Sequence, residues 1–419
     1  MNAKIEKPIL WGSLAVALAA LLWSLDGTFL RPQLYSLPSV LVVFLEHLLG
    51  FFVLFPFLII YRKQIKNITK KQWLAVFWVA LFGGALGTTF ITKALFLTGF
   101  HDISVVILLQ KFQPIFAIVL AAIFLRERFP KNFYIYTAIA LVAGYFMTFK
   151  NPWTIGNLAN AVSGVIVYAL LAAFAWGSAT AFGKYSIKNI SYGLLASLRF
   201  GLTVLIMLIP AIRYFNGLGD INGIQWKTLI IIVFSSGAAA MFIYYYGLKK
   251  ISASLATLCE LSWPISAVLL DYIINKNILS WTQIIGALIV IGAITKIMLN
   301  NRSYHLNGKV IAGLGQGEKT GLHTANLELS VATKTKMPKG LYTCALEIES
   351  KPYSGLLYYG YNSLTKKDCL EAHILNFSGD IYGQTILIIT ERYLRLPKKF
   401  ASIEELTKQM KKDLKLMEN

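Results

Sequence analysis

Long uninterrupted runs of apolar residues alternate with short polar stretches over the first 300 positions of the chain. A run of about 18 apolar residues is long enough to cross the hydrocarbon core of a bilayer as a helix. Ten runs approach or exceed this length, and the fifth is the shortest. We predict spans at about 9–29, 37–60, 73–98, 103–125, 133–149, 161–183, 191–212, 226–247, 252–274 and 280–299.

The pattern changes near residue 300. Residues 1–300 contain 31 charged residues, whereas the 119 residues that follow contain 29. Short β-rich runs separated by Gly, Pro, Asn or Asp replace the apolar blocks there. Residues 402–416 predict one amphipathic helix that Ser402 caps. The sequence therefore predicts a polytopic α-helical membrane domain followed by a water-soluble tail of β-strands with a terminal helix.

The two halves of the membrane domain resemble each other at an offset of about 150 residues. Trp23 corresponds to Trp176, and a polar residue precedes a proline by four positions at both Gln110 and Glu260. Five spans per repeat is an odd number, so the second copy enters the membrane inverted. Inverted repeats with a midplane site are common in transporters, whereas a channel or receptor does not require them. We place the domains at residues 1–150 (spans 1–5), 151–300 (spans 6–10) and 301–419.

Charge and composition restrict the function further. With the N-terminus inside, 15 Lys and Arg residues flank the spans on the inner side and five on the outer side. This bias places both termini in the cytoplasm of a cell-membrane protein. The inner loops explain most of the net charge of +20, and the absence of a basic stripe interleaved with aromatics argues against nucleic-acid binding. The three widely spaced cysteines indicate neither a disulfide framework nor a metal site.

Ionisable side chains inside a span are costly and are by default interpreted as functional. Glu260 is the first candidate for a proton or substrate ligand, and Lys111 is the second. Lys93 and Arg199 have an alternative structural interpretation, by snorkelling or by pairing with a glutamate. Asp26 lies near a helix end and is assigned to a hydrated interface. The transport-path candidates are Glu260, Lys111, Gln110, Glu46, Lys93 and Arg199.

Four segments carry a family resemblance in the membrane domain: LLWSLDGTF, AFAWGSATAFGK, QPIFAIVLAAIFLRER and WPISAVLLDYIINKN. Through them residues 9–299 resemble the EamA-type drug/metabolite transporters. The second copy departs slightly, with Asn277 where the family usually has Glu. The resemblance implies a fold of ten helices in two inverted five-helix repeats. Members of the family move metabolites, amino acids, vitamins or drugs in either direction.

The tail contains a glycine-rich stretch, GLGQGEKTGLHTAN, at residues 313–326. Clustered glycines let backbone N–H groups approach phosphate oxygens, and Thr324 and Asn326, two residues apart, point to the same side of a strand. Together they suit a metal–nucleotide complex, although such turns are also ordinary in β-proteins. The nucleotide-binding candidates are Gly313, Gly315, Gly317, Gly321, Thr324 and Asn326.

This stretch and the segments MPKGLY, LEAHILNFSGDIYGQ and YLRLPKKFASIEELTKQMKKD occur in the order found in riboflavin kinases, which residues 307–416 resemble. The resemblance implies a Greek-key β-barrel with a C-terminal helix. It also implies that Thr324 and Asn326 bind Mg²⁺ with ATP, that Glu371 is the catalytic base, and that Arg395 closes the flavin site. Two positions depart from the family: His323 replaces a proline, and Tyr361-Asn362-Ser363 replaces a Pro-Thr pair.

Together the two domains predict a riboflavin importer joined to a cytosolic kinase that converts riboflavin to FMN with Mg-ATP and so traps it. Two alternatives stay open. In the first, the tail is a catalytically inactive domain that binds flavin and regulates transport. In the second, the membrane domain exports an unrelated metabolite. The expected partners are the bilayer, riboflavin and ATP, and a homodimer is left open.

Overall fold

The computed structural model describes residues 7–99, 103–148, 163–276, 278–300, 304–312, 324–334, 337–349, 351–362, 367–400 and 402–415. The chain divides into two compact units, Met1–Glu127 with Tyr136–Leu299, and Asn300–Asn419 with Arg128–Ile135. The first unit is helical, and the second is a β-barrel with helices.

In the described residues, nine helices are long and apolar enough to cross a membrane. The fifth predicted span forms an 18-residue helix that starts with the polar pair Lys131 and Asn132, so it is less apolar than the others. The predicted polytopic helical fold is confirmed. The spans without an internal break are Lys7–Leu25, Ser39–Ile60, Lys131–Thr148, Ser163–Ile187, Tyr192–Ala211 and Trp281–Asn300, and a short helix, Arg62–Ile65, follows the second span.

Four other spans are interrupted. The fourth consists of Ile103–Gln110 and Gln113–Phe124, and the ninth of Ala253–Cys259 and Ser262–Asn275. A proline has no N–H and clashes with the carbonyl four residues earlier, which ends a helix. Pro114 and Pro264 do this at Gln110 and Glu260, so the sequence explains both breaks.

The third and eighth spans are irregular in the middle. The third runs through Lys70–Trp78, a π-helical segment Val79–Leu86, and Gly87–Leu97. The eighth runs through Gly223–Phe234 and Ala238–Lys250, with a turn between them. With five spans in each half, span three corresponds to span eight, and span four corresponds to span nine.

The two corresponding tryptophans bond to these irregular points. Trp23, on the first span, donates from Nε1 to the backbone oxygen of Ser236 on the eighth span at 3.0 Å. Trp176, on the sixth span, donates from Nε1 to the backbone oxygen of Gly83 on the third span at 3.1 Å. The two contacts therefore join corresponding pairs of spans in the two halves of the unit.

The first span continues beyond its α-helix. Asp26–Leu30 forms a π-helical turn and Arg31–Leu34 a 3-10 turn, so the continuous helical segment ends at Leu34, nine residues beyond the end of the α-helix at Leu25. A second 3-10 segment, Ile212–Asp220, follows the seventh span. The extension of the first span carries charged residues into the helical unit.

The tail forms a closed antiparallel barrel in the order β1-β2-β5-β4-β3-β6. The order β5-β4-β3-β6 places the fourth strand of a series beside the first, which is a Greek key. This confirms the predicted barrel. The strands are β1 His305–Ile311, β2 Ala325–Leu327, β3 Gly340–Ile348, β4 Lys351–Asn362, β5 Lys367–Ile374 and β6 Thr385–Arg395.

Two helices accompany the barrel, Leu329–Lys334 and the terminal helix Ile403–Lys415. Ser402 Oγ accepts a hydrogen bond from the Glu405 N–H at 3.2 Å, as expected for an N-cap. Leu414 of the terminal helix packs on Leu341 and Leu356 on the outside of the barrel. The space beside this contact forms the tail pocket described below.

Candidate functional site

The tail pocket lies on the outer face of the barrel beside the terminal helix. Leu370 and Ala372 on β5 belong to the barrel core, so Glu371 between them points to the outer face. Glu371, Thr324 and Arg395 all line the pocket, which has about 770 Å³ of empty volume, open solvent included. Three residues predicted for the kinase site therefore meet in one place.

Asn326 lies beside this pocket through strand pairing. It is directly opposite Glu371 on the neighbouring strand, and directly opposite residues share a face of the sheet. Leu327 is buried in the barrel core, which places Asn326 on the outer face. The hydroxyl of Thr324 and the amide of Asn326 are oxygen donors of the type that hard divalent cations prefer. These residues therefore fit a metal–nucleotide complex.

Asn362 contacts the predicted base directly. Its Nδ2 donates to Glu371 Oε1 at 3.2 Å, and both residues line the tail pocket. Asn362 belongs to the tripeptide that departs from the riboflavin kinase pattern. Sequence reasoning treated that tripeptide only as a departure, and it missed this contact because the pairing of β4 with β5 brings the two residues together.

Arg395 is held by the terminal helix. Its Nε lies 3.0 Å from Asp413 Oδ1 and 3.1 Å from Oδ2, and its Nη2 donates to Oδ2 at 2.6 Å. The side chains are 14% and 2% exposed, respectively. Asp413 was not predicted, although a carboxylate beside the apolar stripe of an amphipathic helix is a usable signal. The role of Arg395 in closing a flavin site stays a prediction.

Part of the predicted nucleotide site lies outside the described residues. This applies to the glycines of the GLGQGEKTGLHTAN stretch and to the position that departs from the family proline, namely Gly313, Gly315, Gly317, Gly321 and His323.

The membrane unit contains a cavity between its interrupted spans. Its empty volume is about 1310 Å³, open solvent included. Aromatic side chains form much of the wall, among them the two corresponding tryptophans. Five transport-path candidates line the cavity: Glu260, Lys111, Gln110, Glu46 and Arg199. This combination of apolar walls and a few convergent polar groups is typical of small-molecule sites.

Glu260 lies at the break in the ninth span. Its Oε1 accepts a hydrogen bond from the Tyr244 hydroxyl at 2.8 Å, and its Oε2 accepts one from Gln113 Nε2 at 2.5 Å. The Tyr244 hydroxyl also contacts Thr180 Oγ1 at 2.8 Å. The carboxylate therefore connects the fourth, eighth and ninth spans, and through Tyr244 the sixth, at the wall of the cavity.

The break in the fourth span carries Gln110 and Lys111. Gln110 Nε2 donates to the backbone oxygen of Ala169 at 2.9 Å. Lys111 is 7% exposed, and its Nζ has no hydrogen-bond partner among the described residues. The two broken spans thus present a lysine and a glutamate to the same cavity.

Arg31 is a cavity residue that sequence reasoning missed. Its Nη2 donates to Asp26 Oδ2 at 2.5 Å and lies 3.2 Å from Glu46 Oε2, and its Nη1 donates to Thr92 Oγ1 at 2.9 Å. Arg31 and Asp26 are buried. The assignment of Asp26 to a hydrated interface is therefore wrong, and Arg31, one of the five basic residues counted on the outer side, is buried at the cavity wall. The reason is the extension of the first span to Leu34.

The remaining two candidates differ in position. Arg199 Nη2 donates to the backbone oxygen of Gly83 at 2.6 Å, and its Nη1 donates to the Tyr245 hydroxyl at 3.2 Å, within the cavity wall. Lys93 is exposed and does not line the cavity, and its Nζ lies 4.6 Å from the centroid of the Tyr168 ring. Glu46 pairs with Arg31 and not with either of these cations.

A helical unit with a central cavity between interrupted spans defines a polytopic membrane protein of the transporter class. Residues 10–149 and 163–299 match the family model described as "EamA-like transporter family", and residues 300–419 match the one described as "Riboflavin kinase". The chain belongs to the EamA-like transporter family, and its tail matches the riboflavin kinase family model. Both predicted resemblances are confirmed.

Individual relatives resemble the chain in different parts. "Riboflavin transporter ImpX" of Fusobacterium nucleatum is 41% identical over 292 residues, which cover 68% of this chain and 97% of that protein. "Bifunctional riboflavin kinase/FMN adenylyltransferase" of Bacillus subtilis is 30% identical over 121 residues, which cover 28% of this chain and 38% of that enzyme. The chain thus spans less than half of the bifunctional enzyme.

One solved crystal structure shares the fold. It is 16% identical, its match covers 68% of this chain and 95% of that one, and the TM-score is 0.50. At this identity the likeness supports the architecture alone.

Proposed function

We propose that this protein imports riboflavin through its membrane unit and converts it to FMN with Mg-ATP at its cytosolic tail. The observation that carries the proposal is the union of two parts in one chain. One part is 41% identical to a protein named as a riboflavin transporter, and the other matches the riboflavin kinase family. Both parts point to the same small molecule.

The tail pocket has the groups that phosphoryl transfer requires. This reaction depends mainly on positioning the nucleophile and neutralising charge on the phosphates. Glu371 is the base that takes the proton from the terminal ribityl hydroxyl, and Asn362 holds its Oε1. Thr324 and Asn326 would hold the magnesium–nucleotide complex, in which Mg²⁺ would neutralise phosphate charge. Arg395 stands at the pocket wall, fixed by Asp413.

Phosphorylation makes import one-directional. A phosphate monoester adds about two negative charges at neutral pH, so FMN is a poor cargo for the route that admitted riboflavin. This requires the tail to be cytosolic, as the bias of basic residues favours. The burial of Arg31 strengthens that bias, because it removes one residue from the outer group.

The internal symmetry gives the membrane unit a transport mechanism. We infer that residues 1–150 and 151–300 are inverted repeats and that they move against each other around the cavity. Support comes from the interruption of corresponding spans and from the matching bonds of Trp23 and Trp176. In such transporters the substrate site lies between the repeats near the bilayer midplane.

A second function is favoured by one observation. Three of the five N–H groups of the Arg395 guanidinium bond to Asp413 and to the Leu396 backbone oxygen, so a phosphate or a flavin would have to use the remaining two. A tail that binds flavin without turnover, and regulates transport by its occupancy, agrees with that contact.

The test uses the full chain reconstituted in liposomes that contain Mg-ATP and take up labelled riboflavin. We expect labelled FMN to accumulate with the wild type and with the control variant Glu347→Gln, whose exposed side chain lies outside the tail pocket. Glu371→Gln should form no FMN but still exchange labelled for unlabelled riboflavin. Unchanged FMN formation in Glu371→Gln would refute its role as base. Flavin binding without any FMN from the wild type would establish the regulatory function.

A further inference from the structure

The charges around the membrane cavity are balanced, but they are not all paired. Three Lys or Arg residues and three carboxylates line it beside His47: Arg31, Lys111 and Arg199, and Asp26, Glu46 and Glu260. Five of the six have protein partners. Arg31 binds both Asp26 and Glu46, Arg199 binds a backbone oxygen and a tyrosine, and Glu260 accepts from a tyrosine and a glutamine.

Lys111 is the exception within the described part of the chain. It is 7% exposed, and its Nζ has no hydrogen-bond partner there. Its aliphatic stem and its Nζ both pack against Gly144 of the fifth span, where an added Cβ would lie 3.2 Å from Lys111 Cδ and 3.4 Å from Nζ. The ammonium is therefore fixed by packing rather than by polar contacts, at the break of the fourth span.

An unpartnered ammonium in such a place has a physical cost. It carries three donors and no acceptor, and a buried polar group without a partner destabilises the fold. Positions that are costly for stability and border a cavity are typical of sites that a ligand completes. The missing partner is an acceptor atom.

We propose that Lys111 anchors the substrate by donating from Nζ to the carbonyl and ring-nitrogen acceptors at the edge of a neutral heterocycle. In riboflavin this edge is the pyrimidinedione part of the ring system, so the inference rests on the proposed function. Neutral cargo agrees with the balanced charges of the cavity, since an anion would leave a net negative charge there. A cation would meet Lys111 without offering it an acceptor.

The test is riboflavin counterflow in liposomes that contain the full chain and no ATP, so that the tail does not consume the substrate. Lumiflavin, which has the same ring system with a methyl group in place of the ribityl chain, serves as the competitor. Lys111→Met should raise the half-saturating riboflavin concentration about tenfold or more, as expected for a lost charged hydrogen bond. It should raise the inhibitory lumiflavin concentration by the same factor.

Lys93→Met is the matched control, because it removes another lysine from a membrane span at a site that does not line the cavity. Both concentrations should stay within about twofold of wild type. The melting temperature of Lys111→Met should equal or exceed that of wild type, since the charge it removes is unpaired. A purely structural lysine would show the opposite. If the Met variant does not fold, Lys111→Gln is judged by the same two concentrations.

Unchanged riboflavin transport in the Lys111 variant would overturn the inference and leave the proposed function standing. Weaker riboflavin transport with unchanged lumiflavin inhibition would also overturn it, because the lysine would then contact the ribityl hydroxyls. Wild-type protein that exchanges no riboflavin would refute the proposed function and this inference together.

Discussion

The bond between Arg395 and Asp413 should hold the terminal helix on the barrel. Asp413 accepts three contacts from Arg395 and one from Gln409, and it is almost completely buried. Replacing Asp413 with Ala removes these contacts and leaves the guanidinium without its counter-charge. Removal of one partner of a buried ion pair typically costs about 3–5 kcal/mol. Because Arg395 borders the tail pocket and can regain water, we expect about 3 kcal/mol.

A local cost of this size changes an opening equilibrium about a hundredfold. Amide hydrogen exchange of the full chain, followed by mass spectrometry, measures that opening in the terminal helix, Ile403–Lys415. We expect about hundredfold faster exchange there and little change in β3, which lies in the barrel. Exchange within about threefold of wild type would refute the reasoning that the ion pair secures the helix.

Two further variants sharpen this measurement. Asp380→Ala is the matched control, since Asp380 is exposed and, among the described residues, caps only the Tyr382 N–H. It should leave exchange in the terminal helix unchanged. The double variant Arg395→Met, Asp413→Leu replaces the ion pair with apolar side chains, which is often neutral. It should recover most of the protection, whereas a double variant as labile as Asp413→Ala would show that another contact is responsible.

Three other outcomes follow from the structure. Asn362→Ala should lower the rate of FMN formation about tenfold with little change in the riboflavin KM, because it removes a donor that positions Glu371; an unchanged rate would contradict this. Burial and the adjacent Glu371 carboxylate raise the pKa of the Cys369 thiol, so Glu371→Gln should lower that pKa and speed alkylation of Cys369 at pH 8–9, as peptide mass spectrometry can follow. Gly247→Ala should lower the melting temperature in detergent, since its Cβ would lie 2.6 Å from a backbone oxygen of the first span, whereas Gly223→Ala, with open space around it, should not.

The fold could be predicted from the sequence where one local property decides it. Apolar length gave the spans, and the prolines at 114 and 264 mark two of the four interruptions. The π-helical segment Val79–Leu86 contains the pair Gly83-Gly84, which weakens an α-helix but does not specify a π-helical form. Its form depends on partners distant in sequence, such as Arg199 and Trp176, which bond to the Gly83 oxygen.

The sites show the same division. Glu371, Thr324 and Arg395 could be predicted to meet because the resemblance to riboflavin kinases assigns all three to one site. They do line one pocket. Asp26 and Arg31 could not, because a charge just beyond an apolar run normally faces water. Their burial follows from non-α-helical turns that extend the first span, and from Glu46 on another span.

The bonds of the two tryptophans have a consequence for which changes this protein tolerates. Each indole donates to a main-chain oxygen, at Ser236 and at Gly83, and every amino acid offers that oxygen. Substitution of the accepting residue therefore preserves the bond as long as the backbone keeps its path. The donor has no such freedom, because no other side chain combines an indole's reach with its single N–H. We therefore expect substitutions of Trp23 and Trp176 to impair the protein, whereas position 236 should tolerate different side chains.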